Sequence, residues 1–323
     1  MKKWLLILLA VFMISIAGIY IFIPARLTVT ESVPVTATQE GTIRMFSTRQ
    51  NWNKIWPGGS GMTYRSDNPA RKQDTSFYYM SGGFDFYLKK ILYNAIELTI
   101  ETNNDSIESA IYILPYQVDS FKLQWTALLP STNNPIKRVQ NYFKATKLSS
   151  CFKFVLKGMG NTLSKVQTIY GIEIKKDTIP YQNYIATKRY LTQYPSTETI
   201  YTMVDELQQY AVKTGARQLD KPIFDVKTTE ESEYTTQVAI PIDKIVLDNG
   251  PYSNKWMMKG GNVLSTDVQG DMNELEKAKA QVNQYIADYR RSIIAAPWQM
   301  LITDRRAEPD STKWITRLYI PVI

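Results

Sequence analysis

The sequence predicts an α+β protein with an apolar N-terminal helix and two further domains, and three observations lead to this class. Residues 4–23 form an uncharged apolar run, residues 27–167 mix alternating and helical patterns, and residues 168–323 contain the order strand, helix, strand, strand twice. A chain of 323 residues also exceeds the size at which a single core stops growing, about 250 to 300 residues. We therefore expect the apolar N-terminal helix within residues 1–26 and two domains at residues 27–167 and 168–323.

Composition excludes several kinds of catalyst. The chain has no histidine and one cysteine, Cys151, which removes Ser-His-Asp and Cys-His catalysis and ordinary zinc sites. The neighbours of Cys151 favour a helix face, so we expect a buried, inert thiol. No catalytic residue, cofactor or metal site is predicted.

The net charge of +8 comes from scattered basic doublets. They do not form a stripe with interleaved aromatic residues, as a nucleic-acid surface would. We interpret them as solvated faces and expect no nucleic-acid partner. The doublets are Lys89–Lys90, Lys175–Lys176, Arg290–Arg291 and Arg305–Arg306.

The N-terminal run "WLLILLAVFMISIAGIYIFI" is long enough to cross about 30 Å of hydrocarbon. Lys2 and Lys3 precede it, which places the N-terminus inside by the positive-inside rule. The pattern predicts a single-pass membrane protein whose domains lie on the extracytoplasmic, periplasmic side. A cleaved signal peptide is the alternative, but the length of the run and the absence of a small-x-small site favour an uncleaved anchor.

The first domain is predicted from alternating and capping patterns. Asn134 and Pro135 suit the first positions of a long helix, and Gly158 and Gly160 are expected to interrupt it. Residues 61–83, rich in Ser, Gly, Asp and Asn, are predicted to form a loop. Short helices are expected within 36–58, and strands at 27–35, 95–101, 109–116 and 120–129.

This order of elements resembles the START-like (SRPBCC, polyketide cyclase-like) fold, with "WNKIWPG" similar to its tryptophan-rich turn. The resemblance covers residues 27–167 and implies a cavity for an apolar ligand, but no reaction. In "AIELTIE", Glu97 and Glu101 share one side of the strand. They either line that cavity or face water, and the second interpretation is favoured.

The second domain repeats one unit. Strand 183–191 leads to a helix with Ile200, Met203, Val204, Leu207 and Tyr210 on one face, and strands 221–228 and 234–242 follow. In the second copy, "NKWMMKGGNVLSTDVQGD" leads to a helix capped by Asp271, and strands 296–304 and 314–322 follow. Two such units are expected to pair about a pseudo-twofold axis and leave a cleft between their helices.

The runs "GGNVLSTDVQGDMNELEKAKAQVNQYI" and "PWQMLITDRRAEPDSTKWITRLYIPV" resemble the GyrI-like domain, the effector-binding module of many bacterial transcription activators. The resemblance covers residues 169–323 and implies an aromatic cleft for a small molecule. Members often carry a glutamate where this chain has Gln299, and an aromatic residue where it has Leu301. A glutamate there neutralises a cationic ligand or acts as an acid or base, whereas Gln299 orients a neutral polar group or satisfies a partner in the sheet.

Four further residues complete the predicted ligand site with Gln299 and Leu301. Trp256 and Met258 are placed on one face of a strand, and Phe224 and Tyr319 approach the cleft from the two repeats. A plain core role is the alternative for this stripe. Asp304, Glu308 and Asp310 are predicted to cap and solvate a hairpin loop.

These observations favour a membrane-anchored, non-catalytic binder of small neutral or amphipathic molecules. The alternative is a hydrolase of small electrophilic molecules, as some GyrI-like proteins are, using a carboxylate or tyrosine such as Glu97, Glu101 or Tyr319. A sensor linked to transcription is a third reading, which the apolar run and the missing helix-turn-helix disfavour.

Overall fold

The structure is a computed structural model that describes residues 2–58, 78–102, 105–117, 119–229 and 233–323. The chain divides into two compact units, Met1–Ile169 and Tyr170–Ile323. Each unit combines one antiparallel sheet with helices. The α+β class predicted from the sequence is therefore confirmed.

The first helix, α1 (Lys2–Phe22), carries the apolar N-terminal run. Near its end, the Tyr20 hydroxyl donates to the Asn133 carbonyl, and the Arg138 guanidinium lies 4.4 Å from the centre of the Tyr20 ring. Among the residues that the structure describes, no helix is both long and apolar enough to cross a membrane. The predicted span at 4–23 is thus not supported, and the predicted extracytoplasmic location stays a prediction.

Six strands form the sheet of the first unit. They pair antiparallel in the order β1-β6-β5-β4-β3-β2. The four predicted strands are confirmed, although β5 is longer than expected. The strands are β1 (Thr28–Val35), β2 (Tyr78–Ser81), β3 (Phe84–Ile91), β4 (Ala95–Glu101), β5 (Ser106–Gln117) and β6 (Ser120–Leu128).

Two strands of this sheet, β2 and β3, are not predicted by the sequence pattern. The loop predicted over 61–83 is wrong at its end, where residues 78–81 form β2; residues 61–77 lie outside the described residues. In β3 the register shifts between Leu88 and Lys90. Such a bulge breaks the two-residue alternation from which strands are predicted.

The helices of the first unit are α2 (Gln39–Ser47), α3 (Arg49–Ile55) and α4 (Pro135–Leu163), and α5 (Val166–Tyr170) follows at the unit boundary. The predicted start of α4 is confirmed, because Asn134 accepts hydrogen bonds from the backbone of Ile136 and Lys137.

The prediction that Gly158 and Gly160 interrupt α4 is wrong, since the helix continues to Leu163. The glycines serve close packing instead. A Cβ on Gly158 would lie 2.3 Å from Cγ of Pro57, and a Cβ on Gly160 would lie 3.4 Å from a methyl group of Val33.

Aromatic rings pack between the sheet and α4 in the first unit. Trp125 stacks on Phe152 at 4.1 Å, and Trp56 stacks on Tyr79 at 4.7 Å. Trp52 is fully buried with them. Among the described residues, the interior that the START-like resemblance predicts to be a ligand cavity therefore contains side chains of the chain itself.

The outer face of this sheet carries the two glutamates of β4. The residues that alternate with them, Ile96, Leu98 and Ile100, belong to the core. Glu97 and Glu101 therefore lie on the side away from that core and stay partly exposed, as the favoured interpretation predicted.

The second unit has an eight-stranded antiparallel sheet in the order β11-β8-β10-β9-β13-β14-β12-β7. The strands are β7 (Lys175–Thr178), β8 (Asn183–Leu191), β9 (Ile223–Thr228), β10 (Tyr234–Ile242), β11 (Tyr252–Trp256), β12 (Asn262–Gln269), β13 (Trp298–Leu301) and β14 (Ile315–Pro321). The long helices are α6 (Thr197–Lys213) and α7 (Met272–Asp288).

The predicted repeat is visible in this order. The first copy is β8-α6-β9-β10 and the second is β12-α7-β13-β14. In the sheet, the strands of the first copy lie in the order β8-β10-β9 and are followed by those of the second copy in the order β13-β14-β12. Equivalent strands therefore lie at equal distances from a pseudo-twofold axis between β9 and β13. Asp271 caps α7 as predicted, because its side chain accepts from the backbone of Asn273 and Glu274.

One segment departs from the repeat. Residues 254–271, which the sequence pattern treats as one approach to α7, form two separate strands, β11 and β12. A turn at Gly260, whose φ is +83°, divides them. The strand β11 then pairs with β8 of the first repeat, at the far edge of the sheet from β12.

Candidate functional site

Gln299 lies at the centre of the second sheet. It pairs in register with Phe224 of β9 on one side and with Leu318 of β14 on the other. Only 2% of the residue is exposed, and its carbonyl oxygen Oε1 has no hydrogen-bond partner among the described residues. A buried amide oxygen without a partner is rare in native proteins and calls for an explanation.

Three of the predicted site residues meet on the face of the sheet that carries α6, which we call the helix face. Phe224 and Leu301 belong to the core formed with α6. Gln299 shares their face because it is two residues from Leu301 and opposite Phe224. The predicted association of Phe224, Gln299 and Leu301 is therefore present.

The other three predicted residues lie elsewhere. Tyr319 stacks on Trp298 at 5.4 Å, in a core that contains no residue of α6 or α7; we call this side the opposite face. Trp256 ends the edge strand β11 and Met258 lies beyond it, and both are more than half exposed. Strand alternation and the turn after β11 thus separate Tyr319, Trp256 and Met258 from Gln299.

Arg305 is a neighbour of this site that the sequence pattern misses. Its guanidinium carbon lies 5.7 Å from the centre of the Phe224 ring and 4.7 Å from that of Trp314. One nitrogen, Nη2, donates to the Thr316 hydroxyl over 2.8 Å, while Nε is buried without a partner among the described residues. The interpretation of Arg305–Arg306 as a solvated doublet is wrong for Arg305.

Two tyrosines border Arg305. The Tyr201 hydroxyl accepts from the backbone N–H of Arg305 over 2.9 Å, and the Tyr194 hydroxyl reaches the sulfur of Met272 at the start of α7. Burial raises the pKa of Tyr194 to about 12, and the charge of Arg305 acts in the opposite direction. We call Phe224, Gln299, Arg305, Trp314, Tyr201 and Tyr194 the helix-face cluster.

Two buried threonines add polar groups on the same face. Thr266 pairs with Leu318, the partner of Gln299, and Thr236 lies two residues from Val238, the partner of Phe224. Neither hydroxyl has a hydrogen-bond partner among the described residues. With Gln299, the helix face therefore presents three buried polar side chains with unmet hydrogen bonds.

The opposite face holds a cavity of about 350 Å³. Tyr184, Ile223, Met257 and Trp298 supply most of its apolar wall. A volume of this size is at the lower end of known small-molecule sites. Its polar lining residues are Asp225, Lys227, Gln237 and Lys255.

Asp225 is the carboxylate of this opposite-face cavity. Burial raises its pKa, and Lys227, whose Nζ lies 3.5 Å from Oδ2, acts to lower it. Burial also raises the pKa of the Tyr184 phenol in the same wall. These two groups can hold protons near a bound molecule.

The first unit offers a surface groove of about 530 Å³ between the β2–β3 turn and α4. Phe143, Phe154 and Cys151 line it. Cys151 is buried, as predicted, and burial raises the pKa of its thiol, so this thiol is a poor nucleophile near neutral pH.

No protein-family model matches the chain, and no curated protein sequence does. Among solved structures, the C-terminal domain of EcmrR aligns with 47% of this chain and 98% of its own, at 13% identity and a TM-score of 0.41. A hydrolase from Listeria innocua aligns with 46% and 91%, at 13% identity and a TM-score of 0.36. The di-domain ARO/CYC protein BexL aligns with 92% and 85%, at 10% identity and a TM-score of 0.34. These scores are too low for any of the three to indicate an activity.

Proposed function

We propose that the second unit is a GyrI-like module that binds small neutral or amphipathic molecules, without catalysis, at the helix-face cluster. One observation carries the proposal: the buried Gln299 has a carbonyl oxygen without a partner beside the ring of Phe224. An unmet buried polar group costs about 1 to 3 kcal/mol. A ligand that donates a hydrogen bond to Oε1 removes this cost, and the aromatic rings supply apolar contact.

The first unit has the element order of a START-like fold, and we propose a supporting role for it. Its interior holds the stacked rings of Trp125 and Phe152. Thr42, Trp56 and Ser120 of this unit also have buried side-chain atoms without a partner among the described residues. We place the ligand site in the second unit because Gln299 there lies beside Phe224, Leu301 and Arg305.

A neutral probe tests the proposed site. We expect 2-naphthamide, titrated into the full-length chain by calorimetry, to bind saturably through its N–H groups. Gln299→Met keeps the length of the side chain and removes the acceptor, so binding should weaken about fivefold to tenfold. The matched control is Gln237→Met, which removes an amide from the opposite-face cavity and should change nothing.

Two outcomes would contradict the site or the function. If Gln237→Met weakens binding and Gln299→Met does not, the molecule binds in the opposite-face cavity. If the wild-type chain binds the amide nowhere, the proposed function is wrong.

Hydrolysis is the second candidate, favoured by Asp225, whose pKa is raised and which lines the same cavity as Tyr184. A carboxyl group whose pKa is raised by burial can take part in acid–base catalysis. Release of nitrophenol from p-nitrophenyl acetate distinguishes the two candidates. A non-catalytic protein leaves the rate equal for wild type, Asp225→Asn and buffer, whereas loss of a wild-type rate in Asp225→Asn supports the hydrolase.

A further inference from the structure

Arg305 is a partly buried cation without an acidic partner. Among the described residues, no carboxylate lies within 4.0 Å of its guanidinium; its side-chain hydrogen bond goes to the Thr316 hydroxyl. Two other arginines near the cluster are paired: Arg306 makes two hydrogen bonds to Asp205, and Arg317 makes two to Asp267. Arg305 thus differs from its immediate neighbour in both burial and pairing.

Such a charge is costly without a counter-charge. Buried guanidinium groups in proteins are normally paired with carboxylates or phosphates, because the charge has lost its water. The rings of Phe224 and Trp314 offer cation–π contact, but ring faces carry no net negative charge. Burial accordingly lowers the pKa of Arg305.

Among the described residues around Arg305, none supplies the missing negative charge. Gln299, the register partner of Phe224, is a neutral amide and cannot supply it. Nearby acids are engaged elsewhere: Asp304 accepts from the backbone of Arg306, and Asp225 pairs with Lys227. Arg305 keeps partial exposure, so a solute anion can reach it without unfolding the sheet.

We propose that the helix-face cluster binds an anionic aromatic molecule, with its carboxylate on Arg305 and its ring against Phe224 and Trp314. The proposal rests on the small-molecule binding proposed above and adds the class of ligand. A guanidinium presents parallel N–H donors that match a carboxylate, and Nε of Arg305 is the donor that lacks a partner.

Three probes with one ring system but different charge test the class. The full-length chain is titrated by calorimetry with 2-naphthoate, 2-naphthamide and 2-naphthylmethylammonium at low ionic strength. We expect the naphthoate to bind at least about tenfold more tightly than the amide, since hydrogen bonds between charged groups are the strong ones. The ammonium probe should bind most weakly. An equal or reversed order overturns the proposal.

Substitutions test whether the charge of Arg305 causes the preference for naphthoate. Arg305→Gln should remove the preference for naphthoate, so that naphthoate and the amide bind with similar affinity. Arg305→Lys should retain part of the preference because it keeps the charge but loses the fork. Arg217→Gln is the matched control, since that side chain is exposed and paired with Asp243, and it should change neither affinity.

The outcomes separate this inference from the proposed function. Binding of the amide with no preference for naphthoate overturns the anionic class and leaves the function intact. Absence of binding by all three probes overturns both. If Arg305→Gln unfolds, a reduced preference in the folded Arg305→Lys variant still supports the inference, and an unchanged preference there contradicts it.

Discussion

Gln299 and Phe224 face each other across the pseudo-twofold axis of the second unit. They are register partners on β13 and β9, and each stands two residues after the proline that precedes its strand, Pro297 and Pro222. Equivalent positions of the two repeats therefore meet in space and differ in chemistry, one an amide and the other a ring. The two repeats therefore differ chemically at the axis itself, where a ligand would meet an amide on one side and an aromatic ring on the other.

Gly158→Ala should destabilise the first unit. A methyl group there would lie 2.3 Å from Cγ of Pro57, and overpacking of this kind costs about 1 to 3 kcal/mol, more than the gain in helix propensity. Gly160→Ala is the control, because its Cβ would meet Val33 at 3.4 Å, an ordinary contact. Urea unfolding of both variants measures the difference. Equal stabilities would show that Pro57 moves away freely.

The contrast between these glycines illustrates which structural features can be predicted from the sequence and which cannot. Strand alternation, the Asn134 and Asp271 caps and the internal repeat depend on local spacing, so they can be read from the chain. The role of Gly158 depends on Pro57, which is distant in sequence. Likewise, Arg305 looks like half of an exposed doublet until Phe224 and Trp314 are seen around it.

The candidate site was only half predictable for a related reason. Gln299, Leu301 and Phe224 share a face because two-residue alternation fixes the side on which each one lies. Tyr319 pairs with Trp298, the residue before Gln299, so its side chain lies on the opposite face of the sheet. Trp256 could not be placed from sequence, because the partner of an edge strand such as β11 is not encoded in its own pattern.

Asp225→Asn should change how stability depends on pH. Burial raises the pKa of this carboxyl above its ordinary 3.8, so the folded state holds the proton more tightly than the unfolded chain. The contribution of this carboxyl to the stability of the wild type should therefore fall as pH rises from about 4 through the folded pKa. Asparagine does not titrate, so the variant should lack this decline in thermal unfolding measured across that range.

Asp267→Asn provides the control of opposite sign. Arg317 lowers the pKa of Asp267, so its contribution to stability is present above the ordinary pKa and is lost as pH falls through the folded value. The difference between wild type and this variant should shrink on acidification. The same pH trend in both variants would contradict the assigned causes.

Arg305→Met should stabilise the chain in the absence of ligand. Methionine keeps most of the volume and removes a partly buried charge that has no acidic partner, and replacement of buried charges by apolar groups is often neutral or stabilising. We expect a gain of about 1 kcal/mol in the free energy of unfolding. Arg306→Met removes an exposed ion pair with Asp205 and should cost at most about 1 kcal/mol. A large loss in Arg305→Met would show that its ring contacts outweigh desolvation.

Gln299→Glu gives the sharpest test of the relationship between the amide and the guanidinium. Gln299 is the register partner of Phe224, and Arg305 lies 5.7 Å from the centre of the Phe224 ring. We therefore expect a carboxylate at position 299 to supply the counter-charge that Arg305 lacks. We expect the single variant to stay folded and to lose its preference for 2-naphthoate, because the new acid occupies the cation. Calorimetric titration and urea unfolding at pH 7 measure both effects.

The double variant Gln299→Glu/Arg305→Met should then be much less stable than the two single variants suggest. Its carboxylate would be buried without a cation, so it must either ionise at a cost or take up a proton, and its stability should fall as pH rises above about 5. Residues in contact show coupling of about 0.5 to 3 kcal/mol in such a cycle, whereas distant residues add independently. Coupling near zero would place Arg305 out of reach of position 299. It would also mean that the loss of naphthoate binding in Gln299→Glu, if seen, comes from repulsion of the anion and not from pairing.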